Sequence, residues 1–229
     1  MLKNLETEKR LAAKEAIRLI GSGQTVGLGT GSTAAYAVYE LGESVKNGLK
    51  IRAVPTSEET RKLAESLNIS LIDINSVDSI DITIDGADEF NSDLVLIKGG
   101  GGALLKEKIV ASMTKEEIII VDSTKRVDVL GKFKLPVEVI PFASNYVLRQ
   151  IEITGGYGKI RMNNSRPFIT DEGNYIIDAD FGEITDPINL SNKLNEFEGL
   201  VAHGLFINLA SKLIMGTETG TEIFSATIK

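Results

Sequence analysis

Thr25-Val26-Gly27-Leu28-Gly29-Thr30-Gly31-Ser32-Thr33 starts as a short apolar strand, breaks at alternating glycines and runs into a helical pattern over 32–46. A strand that hands over to a helix in this way is half of a β-α-β unit. The same rhythm continues on both sides. A helical pattern covers 7–22, and after 46 come strand 50–54, helix 57–66 and strands 70–74, 80–84 and 117–121. Strands separated by helices of this length imply an α/β fold with a mostly parallel, doubly wound, Rossmann-like sheet. Ligands of such sheets bind at the carboxyl ends of the strands, so the residues that follow each strand are the ones to examine.

From about residue 130 the rhythm changes. Strand 137–140, helix 144–153, strands 159–162 and 174–179, helix 187–197 and strand 200–206 follow in β-α-β-β-α-β order. That order is the split βαβ pattern of a small ferredoxin-like α+β domain. A last strand at 212–215 is expected to return to the first sheet. The expected division is therefore 1–130 plus 207–229 for the Rossmann-like domain and 131–206 for the inserted one.

Composition narrows the functional classes. The 229 residues are 42% hydrophobic, enough for a real core, and include no cysteine, which removes disulfides, thiolate metal sites and cysteine nucleophiles together. A formal net charge of −7 argues against nucleic acid as a partner, because phosphate-backbone binding needs a basic face. One histidine, His203, cannot build a multi-histidine metal site, and neither metal nor cofactor is expected. Its place in the inserted domain suggests a structural or interface role. The N-terminus lacks the apolar stretch of a secretory signal, and the run Ile118-Ile119-Ile120-Val121 is strand-sized, far short of a membrane span. A soluble, cytoplasmic protein with no membrane partner is the expectation.

Several motifs fall at strand ends. Gly27 to Thr33 places glycines and free helix-start amides where an oxyanion or phosphate can approach, or else forms a tight turn capped by Ser32 or Thr30. It is neither a full dinucleotide fingerprint, since Ser32 replaces the third glycine, nor a P-loop. Asp85-Gly86-Ala87-Asp88-Glu89 crowds three carboxylates around one turn, an arrangement suited to acid-base work or cation binding. Turn formation by Asp-Gly accounts for one of those acids. Lys98-Gly99-Gly100-Gly101-Gly102 costs backbone entropy and packs nothing, so close backbone contact with a ligand is the better explanation. Only nine residues separate Ile84 from Leu94, too few for a helical crossover, so 94–98 is read as a segment folding across the sheet's carboxyl edge, with a hairpin as the alternative.

On the helix after the glycines, 103–113, a rotation of about 100° per residue puts Glu107 between apolar neighbours. Burial there suits a general base, whereas pairing with Lys106 or Lys108 is the plainer reading. Asp122-Ser123-Thr124-Lys125 adds a lysine at the same sheet edge, able to hold a phosphate or merely solvated.

Taken in order, Gly29-Thr30-Gly31-Ser32-Thr33, Asp85-Gly86-Ala87-Asp88-Glu89, Lys98-Gly99-Gly100-Gly101 and Glu107-Lys108 closely resemble the A-type ribose-5-phosphate isomerases. The resemblance continues through Asp122-Ser123-Thr124-Lys125, Leu130-Gly131-Lys132-Phe133, Leu135-Pro136-Val137-Glu138-Val139-Ile140-Pro141 and Gly204-Leu205-Phe206, with Gly102 a variation on the pattern. It implies interconversion of D-ribose 5-phosphate and D-ribulose 5-phosphate through a cis-enediolate, without a cofactor, in a homodimer or homotetramer. By position it makes Glu107 the base, Asp85 the acid-base aspartate and Lys98 the cation beside the developing oxyanion. It places Thr30, Gly31, Ser32, Thr33, Gly86, Ala87, Asp88, Gly99, Gly100, Gly101 and Lys125 at substrate, with Lys9 a further phosphate candidate.

Two other classes compete. A non-catalytic sugar-phosphate sensor on the same fold would carry a DNA-binding segment and could dispense with the base. An amino-sugar phosphate deaminase or a CoA transferase would share the sheet, but the lack of a second histidine and the Asp85 to Glu107 constellation argue against both.

Overall fold

The computed structural model describes residues 4–225, which form two compact units. The first takes the chain up to Ala87, then Lys106–Lys125, then the described residues from Asn208 onward; the second is Asp88–Leu105 with Arg126–Ile207. Compared with the division expected from sequence, the second unit also claims Asp88–Leu105, residues 126–130 and Ile207. Residues 1–3 and 226–229 of that expected division lie outside the described residues.

The first unit is built on a six-stranded sheet in the order Thr221–Ser225, Lys212–Gly216, Thr114–Asp122, Ile80–Gly86, Thr25–Leu28, Arg52–Pro55. Every neighbouring pair is parallel except the outermost, Lys212–Gly216 with Thr221–Ser225. Strands buried on both faces read as unbroken apolar runs, and Ile118, Ile119, Ile120 and Val121 are all buried. Helix Leu5–Ile17 packs a stripe of Ala12, Ala13 and Ala16 against helix Ser32–Lys46 and the sheet, in one cluster with Val38, Leu41, Ile82 and Ile214. Small side chains let the two helices approach closely. Gly27 has the same logic: a Cβ there would lie 2.0 Å from Thr83 Oγ1 and 2.8 Å from Val110 Cγ1.

Several elements differ from the sequence expectation for local reasons. The first helix starts earlier and stops at Ile17, with the Asn4 side chain accepting from Thr7 N–H at its start. The expected strand 70–74 is a single bridge, Leu71 to Ala53, because the Asp73 side chain captures Asn75 N–H and turns the chain into a 3-10 turn at Ile74–Ser76. The strand Thr221–Ser225 was not foreseen, since its residues alternate too weakly to stand out beside Thr217 to Gly220, which close a turn by a backbone bond.

The second unit carries an antiparallel sheet in the order Leu200–His203, Leu135–Val139, Tyr175–Asp180, Tyr157–Ile160. In sequence order this is 4-1-3-2, the arrangement of a split βαβ unit, with helices Ser144–Ile153 and Pro187–Asn195 as its two crossovers. Val137, Val139, Val147, Ile151, Ile177 and Leu194 fill its core. Segment 94–98 forms a hairpin: Leu96–Ile97 pairs antiparallel with Glu89–Phe90 and with Leu205–Phe206 in a three-stranded sheet, which is why Asp88–Leu105 belongs to this unit. The expected strand 200–206 is split at Gly204, whose N–H bonds Pro136 O and whose carbonyl accepts from Lys98 N–H. A Cβ at Gly204 would sit 2.3 Å from Lys98 O, so the chain can change sheets only at a glycine.

Glu138 is buried on the strand Leu135–Val139, where its Oε1 accepts from Thr170 Oγ1 at 2.9 Å and Asn174 Nδ2 at 3.0 Å. Burial pushes its carboxyl above the usual 4.5, against the opposing pull of those two donors. A carboxyl raised on folding stabilises the fold fully below its unfolded value and loses that contribution as pH rises through the folded one. Urea unfolding measured from pH 4 to 8 should therefore show a decline in stability above about pH 4.5 that is absent in Glu138→Gln. Glu138→Ala should lose about 1–3 kcal/mol, because it strands both donors in the core.

Candidate active site

In the first unit the strand Thr25–Leu28 ends at the start of helix Ser32–Lys46, and the turn between them differs from the capped-turn reading. The N-cap is Gly31, at φ +105°, and no side chain caps the helix, so neither Ser32 nor Thr30 does what the capped-turn reading requires. A left-handed φ of that size suits glycine. The Thr30 hydroxyl lies 2.7 Å from Thr56 Oγ1 and donates to Ser57 Oγ at 2.9 Å, while Thr56 and Thr60 hydroxyls donate to the carbonyls of Leu28 and Gly29. Thr33 is buried and Ser32 and Gly31 are exposed. Leading amides without a side-chain acceptor, at a partly positive helix end, suit an oxyanion.

Asp85, at the end of the neighbouring strand, is fully buried; its Oδ1 accepts from Thr30 N–H at 3.1 Å and from Gly86 N–H at 2.7 Å. A Cβ on Gly29 would lie 2.0 Å from that oxygen and 2.5 Å from Asp85 Cα. The glycine that sequence assigned to ligand approach thus serves the approach of Asp85.

The turn Ser123–Lys125 follows the strand Thr114–Asp122, with Asp122 Oδ1 accepting from Thr124 N–H at 3.0 Å. Glu8, buried on the first helix, accepts from Ser123 N–H at 2.8 Å. Helix and turn are thereby tied, which brings the helix carrying Lys9 to the turn carrying Lys125. Lys9 itself pairs with Glu6 at 2.9 Å. On helix Leu104–Ser112, Glu107 is only 4% exposed, the more buried of the two settings its place on the wheel allows, and burial pushes the adjacent Lys108 ammonium down to about 8.

The second unit carries the other candidate residues. Asp88 Oδ2 accepts from Gly100 N–H at 2.7 Å, and Glu89 accepts from the N–H groups of Gly131 and Phe133. Each of the three acids takes backbone donors of its own. Glu89 is thereby a structural anchor, and it accounts for Leu130-Gly131-Lys132-Phe133. Lys98 is buried, its Nζ 5.3 Å from the centre of the Phe206 ring, a cation–π contact with the last residue of Gly204-Leu205-Phe206.

Beyond Lys98, Gly99 and Gly102 have φ of +98° and +80°, and a Cβ at Gly100 would meet Asp88 at 2.5 Å. Sequence reasoning missed Arg161, which donates to both the Gly99 and Gly100 carbonyls, as well as Glu8 and the Thr56-Ser57-Thr60 cluster. Thr56 and Ser57 directly follow the strand Arg52–Pro55, so the strand-end rule could have found them; Arg161 left no local signal. His203 is buried, with Ser191 Oγ 3.2 Å from Nε2 and Leu205 N–H donating to Nδ1, a structural setting. Among the described residues no group of three or more His, Asp or Glu side chains is placed to hold a metal ion, and no helix is long and apolar enough to cross a membrane.

Comparison with known proteins matches these parts to one family. The family model for ribose 5-phosphate isomerase A (phosphoriboisomerase A) matches residues 52–220. Ribose-5-phosphate isomerase A of Bacillus mycoides is 51% identical over 213 residues, covering 93% of this chain and 96% of the relative. That of Parvibaculum lavamentivorans is 48% identical, covering 97% of this chain and 100% of its own. Among solved structures, a D-ribose-5-phosphate isomerase in complex with phospho-erythronic acid superposes with a TM-score of 0.94 at 40% identity, over 97% of this chain and 99% of the other. Ribose 5-phosphate isomerase from Plasmodium falciparum gives 0.94 at 35% identity, over 98% of this chain and 100% of the other. The motifs, the fold and the full-length similarity agree: the chain belongs to the ribose-5-phosphate isomerase A family.

Proposed function

We propose that this protein interconverts D-ribose 5-phosphate and D-ribulose 5-phosphate, the aldose-ketose isomerisation of the non-oxidative pentose phosphate route. The observation that carries the reading is Glu107, a carboxylate 4% exposed on a helix that sets Leu104, Val110 and Ala111 one turn to either side of it. Isomerisation requires a group that takes a proton from carbon beside a carbonyl and returns it to the adjacent carbon, which suits a desolvated carboxylate.

In the proposed sequence the open-chain aldose loses its C2 proton to Glu107. The electron pair moves into a C1–C2 double bond, the C1 oxygen becomes the enediolate oxygen, and Glu107 returns the proton to C1. Lys98 stabilises the charge that develops on oxygen, and Asp85 carries the O2 hydroxyl proton to O1, so that O2 becomes the ketose carbonyl and O1 a hydroxyl. Asp85 is suited to a fixed role because Thr30 and Gly86 amides orient it. Backbone at Gly31, Ser32, Thr33, Gly86, Ala87, Asp88, Gly99, Gly100 and Gly101 would position the sugar, and Lys125 with Lys9 would hold the phosphate. Phospho-erythronic acid, bound by the solved relative, is a phosphorylated sugar acid whose planar carboxylate resembles an enediolate, which supports this assignment.

The reading includes a cytoplasmic location and a homodimer or homotetramer, whose interface would cover exposed apolar side chains such as Phe142 and Ile153. The sensor alternative finds no support: the full-length relatives named above are isomerases by name, and the buried Glu107 that a sensor could lose is present.

Glu107→Gln keeps the shape and removes the proton carrier. Its kcat should fall at least about 10³-fold, while ribose 5-phosphate binding by calorimetry stays within about tenfold of the parent. Turnover near that of the parent would sink the assignment of Glu107.

A further inference from the structure

Arg161 lies between the strands Tyr157–Ile160 and Met162–Asn163 of the second unit, distant in sequence from every site residue. Its guanidinium is fixed from three directions. Nη2 and Nε pair with the two carboxylate oxygens of Asp178 at 2.5 and 3.1 Å, and the Phe168 ring centre lies 5.9 Å away. Its backbone is held too, by Arg161 N–H to Ile176 O and by Phe168 N–H to Arg161 O. The remaining nitrogen, Nη1, donates to Gly99 O at 3.1 Å and to Gly100 O at 3.0 Å. A planar guanidinium is suited to this forked task, and lysine cannot reproduce it.

The Gly99 carbonyl and the Gly100 N–H belong to one peptide plane. In a trans peptide they point in opposite directions, and no cis bond is present. Arg161 therefore grips one side of that plane while Asp88 Oδ2 accepts from its other side at 2.7 Å. A cation and a carboxylate hold a single peptide between them. The next plane is oriented by the Gly100 carbonyl, so the Gly101 N–H lies on the side away from the guanidinium. Phe168, under Arg161, also fills the space beside Gly102, where a Cβ would meet the ring at 2.5 Å. Glycines would otherwise sample many conformations, and this cradle removes that freedom.

We infer that Arg161, locked by Asp178, is a positioning residue: it fixes the Gly99–Gly100 and Gly100–Gly101 peptides, and through them Asp88, in the orientation that receives the sugar. The inference rests on the isomerase reading given above. Lys98 keeps its own anchor, its N–H bond to Gly204 O, and Glu107 its helix, so Arg161 serves binding more than the chemical step.

The test compares Arg161→Met, Arg161→Lys and Asp178→Asn with the parent in steady-state assays with ribose 5-phosphate, in thermal unfolding by circular dichroism, and in amide hydrogen exchange of peptides covering 98–102. Loss of positioning should raise KM about tenfold or more in Arg161→Met, with kcat within about threefold and smaller rises in the other two variants. Exchange at 99–101 should become faster in all three. A merely structural role would lower the active fraction, so kcat would drop at unchanged KM. That pattern, or a parental KM with unchanged exchange in folded variants, overturns the proposal. If Arg161→Met fails to fold, the other two variants decide by the same criteria. Failure of the parent to convert ribose 5-phosphate would refute the isomerase reading itself, and the exchange data would still show whether Arg161 orders the glycine segment.

Discussion

Carboxylates that bind backbone amides from other parts of the chain hold this architecture together. Asp85 takes the Thr30 N–H, Asp88 the Gly100 N–H and Glu89 the amides of Gly131 and Phe133, so five consecutive residues organise three separate segments. An ionised acceptor makes such bonds stronger than neutral ones, and each bond needs the backbone to come close. Closeness in turn dictates glycine: a Cβ at Gly29 would collide with Asp85, and one at Gly100 with Asp88. Acids and glycines that look like separate motifs in the sequence are the two halves of single contacts.

That pairing changes what the glycines mean. An uncommon run such as Gly99 to Gly102 invites a purely ligand-based explanation, yet three of the four have a reason inside the protein. Gly99 and Gly102 take left-handed φ values, and Gly100 admits Asp88. The segment is held from outside by Arg161 and Asp88, and Lys98 before it is placed by Gly204 and Phe206. Order is supplied by the surroundings, because glycine supplies none. A backbone fixed in this way loses little freedom when a ligand binds, which is consistent with the substrate role proposed for it.

Much of this was legible in the sequence where the signal is local. Strand 25–28 and helices 32–46 and 144–153 were read to the residue, because glycine breaks and apolar periodicity bound them. The β-α-β-β-α-β order likewise predicted the 4-1-3-2 sheet. Contacts between distant residues were not legible. Nothing near Arg161 announces that it reaches Gly99 and Gly100, 62 and 61 residues earlier, and nothing in Asp88-Glu89 reveals that one acid serves a glycine loop and the other a separate turn. The hairpin at 89–97 leaves little trace in the sequence because its strands, Glu89–Phe90 and Leu96–Ile97, are two residues each, too short for alternation to register. The buried Glu107 was readable from the helical wheel, whereas its chemical role came from resemblance.

The central claim is that a protein carboxylate moves a proton between two adjacent carbons through an enediolate. The most direct measurement is NMR of the isomerisation run in D₂O, which reports the isotope at the carbon that receives the proton. The account predicts deuterium from solvent at C1 of ribulose 5-phosphate formed from ribose 5-phosphate, because a proton held by Glu107 exchanges with water before it is returned. Complete retention of the C2 hydrogen through many reversible turnovers would indicate direct hydride transfer between the carbons and would contradict it.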